Sequence, residues 1–108
     1  HARIKFSRAN LFARDRFQCQ YCGIRRPFSE LTYDHVVPVS QRGRKTWENI
    51  VTSCVPCNRR KRDRLPHEAG MKLRSRPTVP RGFPAKSQLM LARIQAPESW
   101  KTYIFWDH

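Results

Sequence analysis

The sequence predicts a small α+β domain: a unit of two short strands and a helix, stapled by a four-cysteine zinc site and flanked by N- and C-terminal helices. Three observations predict it. Two Cys-x-x-Cys pairs, Cys19/Cys22 and Cys54/Cys57, bracket the middle of the chain at the spacing of a four-thiolate zinc site. Between them lie two segments rich in β-branched and aromatic residues, parted by a polar loop, and the second pair runs directly into a basic helix-forming stretch. Finally, a hydrophobic content of 39% in 108 residues is low for a chain that must build a core unaided, so something beyond apolar burial is expected to hold it.

Four cysteines in two pairs could also form two disulfides in a secreted protein. No apolar signal-like stretch precedes them and none is long enough to cross a membrane, so the expected setting is a reducing cytoplasm, where paired Cys-x-x-Cys motifs read as structural zinc. A redox role, the competing meaning of one such motif, loses to the presence of the second. The formal charge is +14, and four thiolates with one zinc ion would lower it by only two. A field of that sign draws in polyanions, nucleic acid foremost. Solubility alone does not need so lopsided a balance. A basic amphipathic membrane binder fits poorly, because the cations occur in loops and turns as well as in helical runs.

Taken in order, Ser7 is positioned to cap a helix over residues 8–15, expected to pack over the zinc lobe. Residues 17–23 read as a zinc knuckle whose Gly23 can take the positive φ that such a turn needs. Residues 31–37 have strand composition and Pro38 ends them; residues 39–45 are a polar loop around Gly43; residues 50–53 return as a second strand into Cys54. From Pro56 or Cys57 the basic run is expected to stay helical until Pro66 closes it. Beyond Met71, residues 72–86 carry three prolines and five basic residues and read as an extended arm along the domain or the nucleic acid. Ser87 is expected to cap the helix SQLMLARIQ. Pro97 would start another, with Trp100, Tyr103, Ile104, Phe105 and Trp106 packing back onto the first helix. The whole is read as one domain, 1–108: a core at 17–71, the arm at 72–86 and a helical, aromatic segment at 87–108.

The sequence DHVVP at 34–38, WEN at 47–49, CxxCN at 54–58, Lys61 and PHEAGM at 66–71, together with the first cysteine pair, resembles the HNH endonucleases of the ββα-metal group, in the zinc-binding bacterial and phage branch. The last motif position, His in many members, is Asn58 here, which gives the His-Asn-Asn variant. The resemblance implies hydrolysis of DNA phosphodiester bonds, with His35 as general base and a catalytic divalent cation held by Asp34 and Asn58. A carboxylate and an amide oxygen are hard donors, so Mg²⁺ or Mn²⁺ is expected there. Asn49 would fix the loop and, through its backbone carbonyl, orient the base imidazole. Its plain alternative is a turn former.

An ideal strand would point Asp34 and His35 to opposite faces, so a bulge or the strand's end is expected to bring both toward the metal. Lys61 and Arg62, three and four residues beyond Asn58, are the candidates to grip phosphate, with Arg59, Arg60, Arg42, Arg44 and Lys45 as further DNA contacts or merely a solvated face. Trp47 reads as core before base-stacking platform, and His67, in the PHEAGM turn, is not the third motif residue. The competing function is a non-catalytic, zinc-stabilised nucleic-acid-binding module; an adaptor role would leave the charge and the Asp34-His35 pair as coincidence.

Overall fold

The computed structural model describes residues 3–95. The expected helical aromatic segment from Pro97 onward, with Trp100, Tyr103, Ile104, Phe105 and Trp106, lies outside the described residues. In chain order the elements are helix α1 (Arg8–Arg14), strand β1 (Leu31–His35), strand β2 (Ile50–Cys54), helix α2 (Val55–Lys61) and helix α3 (Ala85–Gln95), with short 3₁₀ turns at Phe28–Glu30, Val39–Gln41 and Pro66–Ala69. This is the small α+β architecture expected, with a ββα unit at its centre.

Helix α1 starts where its chemistry dictates: Ser7 is extended and its hydroxyl accepts the Asn10 amide at 3.1 Å. Its buried face, Leu11, Phe12 and Ala13, joins Phe17, Leu31, Ile50 and Leu91 in the main apolar cluster. Contrary to expectation, α1 packs against β2 and α3 in that cluster, while the cysteines form a separate cluster with Met71, Tyr21 and Ala69. Two aromatic edge contacts, Phe12 with Phe17 and Phe28, explain why its apolar residues face this way. Arg14 ties the end of α1 to the sheet: its guanidinium donates to the carbonyls of Trp47 (2.6 Å), Ile50 (2.7 Å) and Thr78 (3.0 Å), while Asp15 pairs with it and accepts the Thr52 amide at 2.9 Å.

Strands β1 and β2 pair antiparallel from Leu31↔Cys54 to His35↔Ile50 without an extra residue on either side. No bulge therefore interrupts the ribbon, and His35 is the last residue of β1. The alternation puts Leu31, Tyr33 and His35 on one face, toward α1, and Thr32 and Asp34 on the other.

Between the strands, the loop folds back on itself. Gly43 donates to the Pro38 carbonyl at 3.0 Å and approaches so closely that a Cβ would lie 1.6 Å from the Val37 oxygen. The Asn49 side chain closes the loop, accepting the Val37 amide at 2.9 Å and donating to the carbonyls of Val37 (3.1 Å) and Arg44 (2.9 Å).

Helix α2 is shorter than expected. It ends at Lys61, where Arg62 turns to φ 57° and returns its amide to the Asn58 carbonyl at 3.0 Å, and the Arg64 guanidinium accounts for the carbonyls of Arg60 and Lys61. These bonds, rather than Pro66, stop it. Ser87 is not a cap either; α3 already begins at Ala85, and Ser87 is buried inside its first turn. Between the two helices, residues 72–84 have no helix or strand and lie along the domain, Arg74 donating its amide to the Gln20 carbonyl at 2.8 Å.

Candidate metal centre and phosphodiester site

The knuckle that carries the first cysteine pair is a tight hairpin. Cys19 donates its amide to the Ile24 carbonyl, Gln18 and Arg25 form a bridge, and Gly23 turns the chain at φ 83°, as expected. A bond from the Gln20 amide to the Thr52 carbonyl at 2.9 Å fixes this hairpin to β2, so the second cysteine pair, at the β2–α2 junction, meets the first. The sulfurs of Cys19, Cys22, Cys54 and Cys57 all lie within 4.8 Å of one another. Four sulfur donors at such spacing are a closed site suited to zinc. Burial pushes the Cys54 and Cys57 thiols up. Burial also acts on Cys19, but the backbone amides of Cys54, Cys22 and Tyr21 outweigh it and bring that thiol down to about 7.

On the face away from α1, Asp34 is 6% exposed. Its Oδ2 takes two bonds: the Tyr21 hydroxyl donates at 2.6 Å and the Lys61 ammonium lies at 3.0 Å. Burial and the neighbouring Asp34 charge push the Tyr21 hydroxyl far up, so it stays protonated as the donor. Lys61 also donates to the His35 carbonyl at 2.7 Å and is 0% exposed. It therefore offers no surface to a phosphate, which corrects its expected role. Three residues after Asn58 it does share the Asn58 face of α2, but that face is turned inward onto β1.

Asn58 is half-buried and its Nδ2 donates to the Tyr33 carbonyl at 3.2 Å, which leaves the amide oxygen as a donor for a cation. The Asp34 carboxylate and this amide are both hard oxygen donors, of the chemistry that suits Mg²⁺ or Mn²⁺. His35 is half-buried on the opposite face, its ring centroid 6.4 Å from that of Tyr33. The Asn49 carbonyl accepts the Val36 amide at 2.8 Å, one residue beyond the imidazole that it was expected to orient. Asp34 and His35 thus lie on opposite faces at the end of β1, contrary to the expectation that both turn toward the metal, and Asn58 meets the strand at the Tyr33 carbonyl; among the described residues no hydrogen bond joins the three side chains.

Of the remaining candidates, Arg42, Arg44, Lys45, Arg59, Arg60 and Arg62 are all exposed, and Arg60 is tethered to the Gly70 carbonyl at 3.0 Å. His67 is exposed on the Pro66–Ala69 turn. Trp47 is half-buried between Phe6 and Arg14. Tyr21 escaped sequence reasoning. Its signal was an aromatic between two cysteine ligands, in a turn whose side chains must project away from the metal.

The cysteine site, the paired strands and the helix that carries Asn58 coincide with a family model whose span begins at Cys19. Residues 19–64 match the HNH endonuclease family. The HNH segment therefore covers both cysteine pairs and all of Asp34, His35, Asn49 and Asn58, and it supports a nuclease function and a nucleic-acid substrate in general terms. Among solved structures, the type II-C Cas9 enzyme from Actinomyces naeslundii overlays 84% of this chain at 20% identity and a TM-score of 0.48, and the chain spans 13% of that protein's length. No curated protein matches the chain. Among the described residues, no helix is long and apolar enough to cross a membrane.

Proposed function

We propose that the chain is a metal-dependent DNA endonuclease of the zinc-binding, His-Asn-Asn type, with His35 as general base. The observation that carries this reading is that the last two residues of β1 offer a carboxylate and a proton acceptor, with Asn58 bonded to the residue before them, within a segment that matches a nuclease family. A scissile phosphate lying across that end has the His35 imidazole on one side and the Asp34 carboxylate on the other. The imidazole takes the proton of the attacking water. Asp34 and Asn58 would hold the divalent cation, which when bound supplies charge neutralisation at the phosphate and the departing 3′ oxygen. Tyr21 and Lys61 orient the carboxylate, and Asn49 keeps the following loop closed so that His35 stays at a strand end. The zinc centre is structural. Exposed Arg42, Arg44, Lys45, Arg59, Arg60 and Arg62 contact phosphates, so sequence preference is weak and single-strand nicks are the expected product.

Supercoiled plasmid incubated with Mg²⁺ or Mn²⁺ tests this. Wild-type protein should nick it; His35→Ala should lower the rate at least a hundredfold, and Asn58→Ala should fail where His67→Ala does not. A wild type that never nicks, with either ion, removes the proposal.

One observation favours a second reading, a zinc-stabilised module that binds nucleic acid without cutting it. The Lys61 ammonium, 3.0 Å from Asp34 Oδ2, already balances the charge that a catalytic cation would meet. Such a module binds DNA equally well without added divalent metal and is indifferent to His35→Ala.

A further inference from the structure

An open groove of about 820 Å³ runs beside the sheet, between the N-terminal residues, the loop before β2 and the proline-rich segment. Its lining combines two aromatic rings, Phe6 and Trp47, with the cations Arg3, Lys45 and Arg81, against a single acid, Glu48. The rings are in contact, 4.7 Å between centroids at 59°, and each is half-buried: one side packs on the main apolar cluster while the other borders the groove. Trp47 is held from behind by Arg14, whose guanidinium lies 5.5 Å from the indole and bonds the Trp47 carbonyl. It is a rigid platform.

Side-chain contacts link the groove to the end of β1. The Lys45 ammonium lies 5.9 Å from the Phe6 ring and 5.4 Å from the Tyr33 ring, and Tyr33 is the ring beside His35. Arg8 covers Tyr33 from another direction at 5.6 Å. A track of alternating aromatic and cationic side chains thus leads from His35 into the groove, on the His35 face of the ribbon.

Such a lining suits one kind of nucleic acid. In a duplex the faces of the bases are hidden in the stack, and only phosphates would meet a surface that is half aromatic and aliphatic. An unpaired nucleotide presents its base face to Phe6 or Trp47 and its phosphate to the surrounding cations. We propose that this groove binds unpaired nucleotides of the DNA strand next to the phosphate at His35, so that the preferred substrate carries a single-stranded stretch beside the cut. The position relative to the cut rests on the nuclease reading; the binding itself does not.

The test compares a blunt hairpin duplex with the same hairpin bearing about six unpaired nucleotides, labelled for fluorescence anisotropy, without added divalent cation. Wild-type protein should bind the tailed form roughly tenfold tighter. Trp47→Leu should abolish the preference. Because Trp47 borders the core, the exposed pair Lys45→Gln/Arg81→Gln serves as a second variant and should shrink it severalfold. A 5-iododeoxyuridine in the tail should crosslink to Phe6 or Trp47 on irradiation. Equal affinity of wild type for both hairpins, or crosslinks that map away from the groove, overturns the proposal. Plasmid nicking that persists beside equal affinity removes the groove alone, whereas a tail preference without any nicking keeps the groove and removes the nuclease.

Discussion

Lys61 shows how far one residue's type is from its role. Its charge and its place three residues after Asn58 were both legible, and together they suggested a hand on the phosphate. What one sequence does not carry is depth: the same spacing serves a wet face or a dry one, and here the ammonium is wholly enclosed with a carboxylate and a carbonyl. Removing one member of a buried ion pair strands the other. Lys61→Met should therefore cost about 3–5 kcal/mol in urea denaturation, more than any exposed arginine of the same stretch. Tyr21→Phe deletes a single bond to that carboxylate and should cost about 2 kcal/mol, with a fall in any Mg²⁺-dependent nicking. Measured together, the two substitutions should be non-additive, because both act on Asp34 Oδ2.

The elements were easier to read than their ends. Ser7 and α1, Gly23 in the knuckle, and the two strands meeting the second cysteine pair all followed from local chemistry. Helix α2 was read too long because arginine and lysine favour helix and the visible breaker was Pro66. Its true stop is a backbone reversal at Arg62, which has no sequence signature. At φ 57° and ψ −144° a side chain is strained. Arg62→Gly should raise stability by about 1 kcal/mol in thermal or urea unfolding, while weakening DNA binding if the guanidinium contacts phosphate. The loop before β2 gives the opposite case. Gly43→Ala places a methyl group against the Val37 carbonyl and should cost roughly 1–3 kcal/mol, loosening the loop that Asn49 closes.

At the scale of the molecule, the zinc staple was legible from spacing, and the location of the apolar core was not. The expected packing of α1 on the zinc lobe failed because α3, which lies beyond the family motifs, supplies Leu91 to the main apolar cluster, separate from that of the cysteines. Zinc held by the four cysteines would contribute a free energy on the order of ~10 kcal/mol, comparable to the stability of a whole domain. A strong chelator should therefore abolish the far-ultraviolet dichroism of the fold.

Zinc uptake should release protons, since burial raises the Cys54 and Cys57 thiols in the metal-free protein. Its pH dependence has a definite sign. The Cys19 thiolate is favoured down to about 7, so acidification through that value adds a proton that the metal must displace, and zinc affinity should fall more steeply below it than above. Competition with a chromogenic chelator across that range reads it out.

Tyr21 lies between Cys19 and Cys22 and rests its hydroxyl on Asp34. Under the nuclease reading, supply of one ion then governs use of the other. In a cell starved of zinc the knuckle slackens, the carboxylate loses its brace, and the blade is blunted however much magnesium surrounds it.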